Sequence, residues 1–262
     1  GGGCPCTSAL EGIARFHVKN GVTSFLATTM TESKDRILAA IDNAVEYSEQ
    51  KHADCSQLLG IYLEGPYFSV EKKGAQNEAY IVDINLDEIG EYVERSKGLM
   101  KIVALAPEKE GSSEAIAYLC EKGIVVSAGH SMATYDETRK GIEAGISQAT
   151  HMFNGMRNFS HREPGIIGAC LMDDRVTCEM ICDGIHLHPA AIELIIKTKG
   201  DDRAVLISDS MKAAGMPDGE WIFGGQKVIV KDNGSTKTTY YGSKYGNAIS
   251  IPQLDSKENT VK

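Results

Sequence analysis

Five side chains able to hold a metal ion or move a proton stand at the ends of apolar runs. They are Glu64 after "LLGIYL", His130 in "SAGHS", His151 in "ATHMFN", His186 in "DGIHLHP" and Asp209 in "ISDSM". A carboxylate at the rim of a buried strand costs free energy unless a cation, a metal ion or a substrate offsets it. The plain alternative for Glu64 is the start of a solvated loop, since the turn formers Gly65 and Pro66 follow at once. Five of the seven histidines fall between residues 130 and 188, and such repeated placement favours one shared site over unrelated loop residues. Glu64, His130 and His151 offer one carboxylate oxygen and two imidazole nitrogens, the three-ligand set of a catalytic metal site with room for water. A metal so held lowers the pKa of its water toward about 7 and polarises a carbonyl. Asp209 is then the general base that takes a proton from that water and later delivers it to a leaving group. Metal-assisted hydrolysis of a C–N bond is the reaction class this set suits.

Two neighbours need separate readings. His188 lies two residues after His186, points the other way if the segment is extended, and reads as structural. In "HREPG", residues 161–165, Arg162 beside His161 can bind an anion such as phosphate. A surface ion pair between Arg162 and Glu163 explains the same spacing.

The elements that must position these residues alternate along the chain. Strand-like runs occur at 21–29, 58–65, 100–108, 123–131, 146–154, 176–186 and 203–211. Helix-like segments lie at 33–50, 86–96, 112–122, 134–144 and 189–199, with Ser112 or Ser113 as the expected cap of the third. This order predicts a parallel sheet with crossover helices, and seven units in a row favour a TIM-like (β/α) barrel. In such a barrel the chemistry sits at the C-terminal ends of the strands, where the five polar residues fall. After about residue 219 the texture changes to Gly-rich turns and short β-type runs. The expected division is therefore a barrel over 1–219 and a β-hairpin segment with a tail over 220–262.

Composition bounds the rest. The chain has 262 residues, 42% hydrophobic and 24% charged, the balance of a globular protein. A net charge of −9 argues against nucleic-acid or anionic-membrane partners. No apolar run approaches the roughly 18 residues of a membrane span, and nothing at the start reads as a signal peptide. Seven cysteines, odd in number and scattered, suggest reduced thiols in a cytoplasmic enzyme. Cys4 with Cys6, and Cys178 with Cys182, lack a matching second pair and read as unpaired thiols rather than a zinc site.

The blocks "FHVKNGVTSFLATTMT", "YLEGPYFSVEKKGAQN", "SAGHSMATYDE", "ATHMFNGMRNFSHREPGIIGA", "DGIHLHP" and "ISDSMKAAG" occur in one order between about residues 11 and 219. On these the sequence resembles the N-acetylglucosamine-6-phosphate deacetylases of the amidohydrolase superfamily. The resemblance implies Glu64, His130 and His151 as ligands of one divalent metal ion, zinc first, with iron, cobalt or manganese as alternatives. It implies Asp209 as catalytic base, and Gly65, Gln76, Asn154, Gly155 and His186 as substrate-binding positions. Arg162 matches the arginine that reaches the 6-phosphate across a dimer interface, so a homodimer is implied. The implied reaction takes the N-acetyl group from N-acetylglucosamine 6-phosphate, giving glucosamine 6-phosphate and acetate. Another amidohydrolase activity, such as a deaminase or cyclic-amide hydrolase, and an inactive phosphosugar-binding remnant are the alternatives.

Three departures from the family pattern carry expectations. Gln76 stands where some relatives carry a histidine near the substrate carbonyl, which shifts polarisation toward the metal. Ser210 follows Asp209 where alanine is the family residue. A strand before "GGG" that can bear an H-x-H pair, and a small β-sandwich built from both chain ends, are not evident here. The expectation is a single-metal site on an incomplete barrel lacking its first strand, with remnants of a small β domain and two unpaired sheet edges.

Overall fold

Apolar runs between Ser24 and Ile207 carry seven strands, and amphipathic segments form most of the crossover helices between them. The structure, a computed structural model, describes residues 7–230 apart from 212, 213, 215, 216, 218, 224 and 225. Cys4, Cys6 and the tail from 233 lie outside the described residues. The strands are β1 (Ser24–Thr28), β2 (Gln57–Glu64), β3 (Met100–Leu105), β4 (Val125–Ala128), β5 (Gln148–Ala149), β6 (Thr177–Ile181) and β7 (Ala204–Ile207). All neighbours pair in parallel, in the order β1-β2-β3-β4-β5-β6-β7. This is a curled, incomplete TIM-like barrel. Among the described residues β1 and β7 pair with no eighth strand, and both line one cavity with the first helix. The edges show it: Leu206 on β7 is 72% exposed, whereas Leu63 on β2 is fully buried.

The helices are α1 (Thr7–Lys19), α2 (Lys34–Ser48), α3 (Leu86–Arg95), α4 (Ser112–Glu121), α5 (Tyr135–Ala144), α6 (Gly165–Met172) and α7 (Pro189–Lys199). Helix α2 buries Ile37, Ile41, Ala44 and Val45 on one face, the spacing that the sequence displays. Asn85 caps α3 by accepting from the Asp87 and Glu88 amides, and Thr134 with Glu137 forms a capping box on α5. His188 is structural, as expected: its Nδ1 accepts from the Ala190 amide at 3.1 Å and caps α7, with Pro189 in the first turn.

Helix α1 is not among the helices expected from the sequence, and two further differences from expectation have physical reasons. The N-cap of α4 is Gly111, with φ 80°, rather than Ser112 or Ser113. Ser112 already lies in the helix and donates to the Pro107 carbonyl at 2.7 Å, fastening the loop after β3. Helix α6 was not expected, because seven of its eight residues are buried and a helix apolar all round has no period to read.

Packing follows the two-residue period of the strands. Ile61 and Leu63 on β2, Val103 and Leu105 on β3, Val126 and Ala128 on β4, and Cys178 and Met180 on β6 join the main core under the helices. The alternate positions turn inward, and there the lining is polar as well as apolar: Tyr62, Glu64, Ile102, Gln148, Thr150 and Glu179 face the cavity. Beyond the sheet, β8 (Gly219–Phe223) and β9 (Gln226–Val230) form an antiparallel hairpin, in line with the β-type texture of that stretch.

Candidate active site

Glu64, His130 and His151 come together at the C-terminal ends of β2, β4 and β5. His130 Nε2 lies 3.1 Å from Glu64 Oε1 and 3.1 Å from His151 Nε2, and His151 Nε2 lies 3.6 Å from the same oxygen. All three side chains are buried. Burial by itself would push the Glu64 carboxyl up, yet the hydrogen bonds and charges of the two imidazoles outweigh it and hold the group well below the usual carboxylate range. Burial would likewise lower His151, but the Glu64 bond and charge raise it to about 9. Three donor atoms within 4.8 Å of one another, with a positive charge favoured between them, make a set that fits a metal ion.

The surrounding bonds orient these three side chains. His130 Nδ1 donates to the Lys72 carbonyl at 2.8 Å, which turns Nε2 toward Glu64 and His151. Gln76 is anchored by the Thr31 amide, 2.8 Å from its Oε1, and donates Nε2 to Glu64 Oε1 at 3.0 Å. Ser131 Oγ and the Met132 amide donate to the Glu108 carboxylate at 2.7 and 2.6 Å, fixing the loop that follows His130. His130, His151 and Asp209 have φ of 46°, 29° and 43°. Left-handed backbone at three non-glycine residues costs about 1–3 kcal/mol each, strain of the kind found at functional sites. It turns each side chain inward where its strand ends.

Gly155 and Gly65 are required by space as well as by φ. A Cβ on Gly155 (φ 60°) would lie 2.9 Å from His130 Nδ1 and 3.3 Å from the Lys72 carbonyl oxygen. A Cβ on Gly65 (φ 87°) would lie 2.2 Å from Thr31 Oγ1.

A cavity of about 960 Å³ opens over the cluster. Gln76, Asn154, Gly155, His186 and Asp209 line it together with Glu64, His130 and His151; Gly65 and Arg162 do not. Arg162 sits on an exposed loop, and its amide donates to Ser160 Oγ at 3.4 Å. Glu163 does not pair with it: that carboxylate accepts from the Tyr135 and Gly165 amides. The Asp209 carboxyl is pushed up to about 8, first by loss of water around it and then by the Glu64 charge, with His151 opposing. His186 is fixed by Asp183, whose Oδ2 lies 2.6 Å from Nδ1 and whose Oδ1 accepts from the His186 amide. That leaves the buried His186 Nε2 with no partner among the described residues, on a side chain that lines the cavity.

The sequence reading missed a buried polar layer beneath the cluster. Thr150 Oγ1 lies 2.7 Å from the Tyr62 hydroxyl and 2.6 Å from Ser127 Oγ. Gln148 Nε2 donates to Glu179 at 2.5 Å, and burial raises the Glu179 carboxyl to about 7. The signal was present, for Glu179 interrupts the apolar run "TCEMI" much as Glu64 ends its own.

Parallel strands that turn a carboxylate and two imidazoles inward at their C-terminal rim make an amidohydrolase-type site that could hold a metal ion. Residues 6–222 match the amidohydrolase family, and the chain belongs to it. Among characterised proteins it is similar to N-acetylglucosamine-6-phosphate deacetylase of Lysinibacillus sphaericus, 39% identical over 90% of this chain and 60% of that protein. It is equally similar, at 39% identity over 92% of this chain and 63% of the relative, to N-acetylgalactosamine-6-phosphate deacetylase of Escherichia coli O157:H7. The fold superposes with a TM-score of 0.82 on a Mycobacterium smegmatis N-acetyl-D-glucosamine-6-phosphate deacetylase mutant in complex with N-acetyl-D-glucosamine-6-phosphate, at 31% identity over 99% of this chain and 65% of that one. The chain thus spans about three fifths of the length of the curated relatives it matches.

Proposed function

We propose that this chain carries the hydrolytic site of an N-acetylhexosamine-6-phosphate deacetylase, with N-acetylglucosamine 6-phosphate as substrate and glucosamine 6-phosphate and acetate as products. The observation that carries this reading is the convergence of Glu64, His130, His151, His186 and Asp209 on one cavity. Their strand-end placement belongs to a chain 39% identical to named deacetylases. A divalent metal held by Glu64, His130 and His151, zinc first with iron, cobalt or manganese as alternatives, would supply Lewis acidity to the amide carbonyl and to water.

The chain's own groups do the rest. Asp209 accepts a proton from the water that adds to the acetyl carbon. When the C–N bond breaks, that proton passes to the amine nitrogen, so acetate and a free amine leave. The Asp183 carboxylate keeps the proton of His186 on Nδ1, so Nε2 accepts a hydrogen bond from a sugar hydroxyl. Asn154, braced by bonds of 3.3 Å to the His151 and Met152 carbonyls, holds the turn beside it. Gln76 orients Glu64 and offers an amide, not a cation, to the substrate side.

Arg162, exposed and outside the cavity lining, suits the reading in which it reaches the 6-phosphate in a neighbouring subunit of a homodimer. The described cysteines are free thiols, which supports a reducing, cytoplasmic setting. No described helix is long and apolar enough to cross a membrane.

The test is acetate release from N-acetylglucosamine 6-phosphate, its galacto epimer and the unphosphorylated sugar, with metal content measured on the same sample. Preference for the gluco phosphosugar supports the reading, and preference for the epimer favours the second activity found among relatives. Metal-loaded protein that releases no acetate from any of them points to the phosphosugar-binding remnant instead.

A further inference from the structure

We infer that Glu179 is a positioning residue for His151: its carboxylate replaces a strand hydrogen bond that His151 gives up in order to turn inward. The inference rests on the metal-site reading of Glu64, His130 and His151. Strands β5 and β6 pair in parallel with Gln148 opposite Thr177, and the Thr177 amide donates to the Ser147 carbonyl. The parallel ladder repeats every two residues. Continued regularly, it would give the Glu179 carbonyl to the His151 amide. The Glu179 carbonyl instead accepts from the Met152 amide at 2.8 Å, a slip of one residue. The slip coincides with the left-handed backbone of His151, φ 29°.

A buried amide without an acceptor costs about 1–3 kcal/mol. Here the orphaned His151 amide finds Glu179 Oε2 at 3.1 Å, while Oε1 accepts from Gln148 Nε2 at 2.5 Å. Glu179 is buried, 4% exposed, and its backbone and side chain hold the peptides on both sides of the His151 Cα. His151 Nδ1 has no partner among the described residues, so none of them fixes the imidazole by a ring hydrogen bond of the kind that His130 makes to Lys72. Its direction is set through the main chain, and Glu179 supplies that hold.

The experiment compares wild type, Glu179→Met and Glu179→Gln by zinc affinity in chelator competition and by the visible spectrum of the cobalt-loaded chain. Methionine matches the size but removes the acceptor, and metal affinity should fall about 10- to 100-fold with a changed cobalt spectrum. Glutamine keeps an acceptor for the His151 amide while Gln148 can reverse its own amide, so affinity should stay within about threefold of wild type. Glu179→Met with wild-type affinity and spectrum would overturn the inference, even if its melting temperature drops. Should that variant not fold, hydrogen exchange at the His151 amide of the metal-free wild type decides: ladder-like protection supports the hold by Glu179, and rapid exchange refutes it. Wild-type chain that binds neither zinc nor cobalt would instead defeat the metal-site reading itself.

Discussion

At the scale of single residues, the site is governed by what each polar atom can reach. Asp209 has its proton affinity raised by its surroundings, first by loss of water and then by the Glu64 charge, against the opposing pull of His151. Asp209→Asn should therefore lower turnover by about 10²–10⁴-fold, the range for a lost acid–base group, while metal analysis finds the ion still bound. Full activity in that variant would remove Asp209 from the role of base. Gly155 has a different function, keeping space against His130. In Gly155→Ala the new methyl meets His130 Nδ1 and the Lys72 carbonyl that accepts from it. Metal affinity should drop at least about tenfold, the scale of losing an outer hydrogen bond to a ligand histidine; unchanged affinity in a chelator titration would mean the loop yields without moving the ring.

At the scale of elements, helix termini and one ion network hold the strand ends in register. Thr134→Ala breaks the capping box of α5 and should cost about 1 kcal/mol in denaturant unfolding. The loop after α6 is tied by Asp173, whose two oxygens take three bonds from Arg175 and one from Arg139, linking α5 to the start of β6. Arg175 holds the Asp173 carboxyl well below the usual range. A carboxyl lowered in the folded state adds stability that is present above its unfolded pKa and is lost as pH falls through the folded one. Asp173→Asn should thus destabilise by about 1 kcal/mol near neutrality, since both arginines are partly solvent-exposed and screened. The difference from wild type should shrink steadily below about pH 4. A gap in stability independent of pH would assign the effect to packing.

At the scale of the whole molecule, the site draws on strands far apart in sequence. Glu64, His130 and His151 arrive from β2, β4 and β5, so a bound metal ties three strands of an open-edged sheet together. Ligand linkage gives about 4 kcal/mol when metal exceeds its dissociation constant a thousandfold. For a chain of this size chelation should therefore lower the melting temperature by on the order of 10 °C. A melting curve unaffected by chelator and by added zinc would mean that the folded state holds no metal.

The sequence by itself determined the alternation of strands and helices, and through it the rim on which Glu64, His130, His151, His186 and Asp209 meet. Apolar runs ending in single polar residues are a one-dimensional signal, readable wherever strand follows helix. Helix α6 is illegible because burial on all sides erases periodicity, and Ser112 does not cap α4 because its hydroxyl donates to the Pro107 carbonyl across the loop after β3. Only the tertiary structure decided the roles of Glu179, Asp183 and Glu108. Each acts through a hydrogen bond whose partner is chosen by the path of the backbone: a ladder slip at His151, a turn at His186, a loop at Ser131. Residue type says that such a carboxylate must find donors, and the fold alone says which donors stand within hydrogen-bond reach.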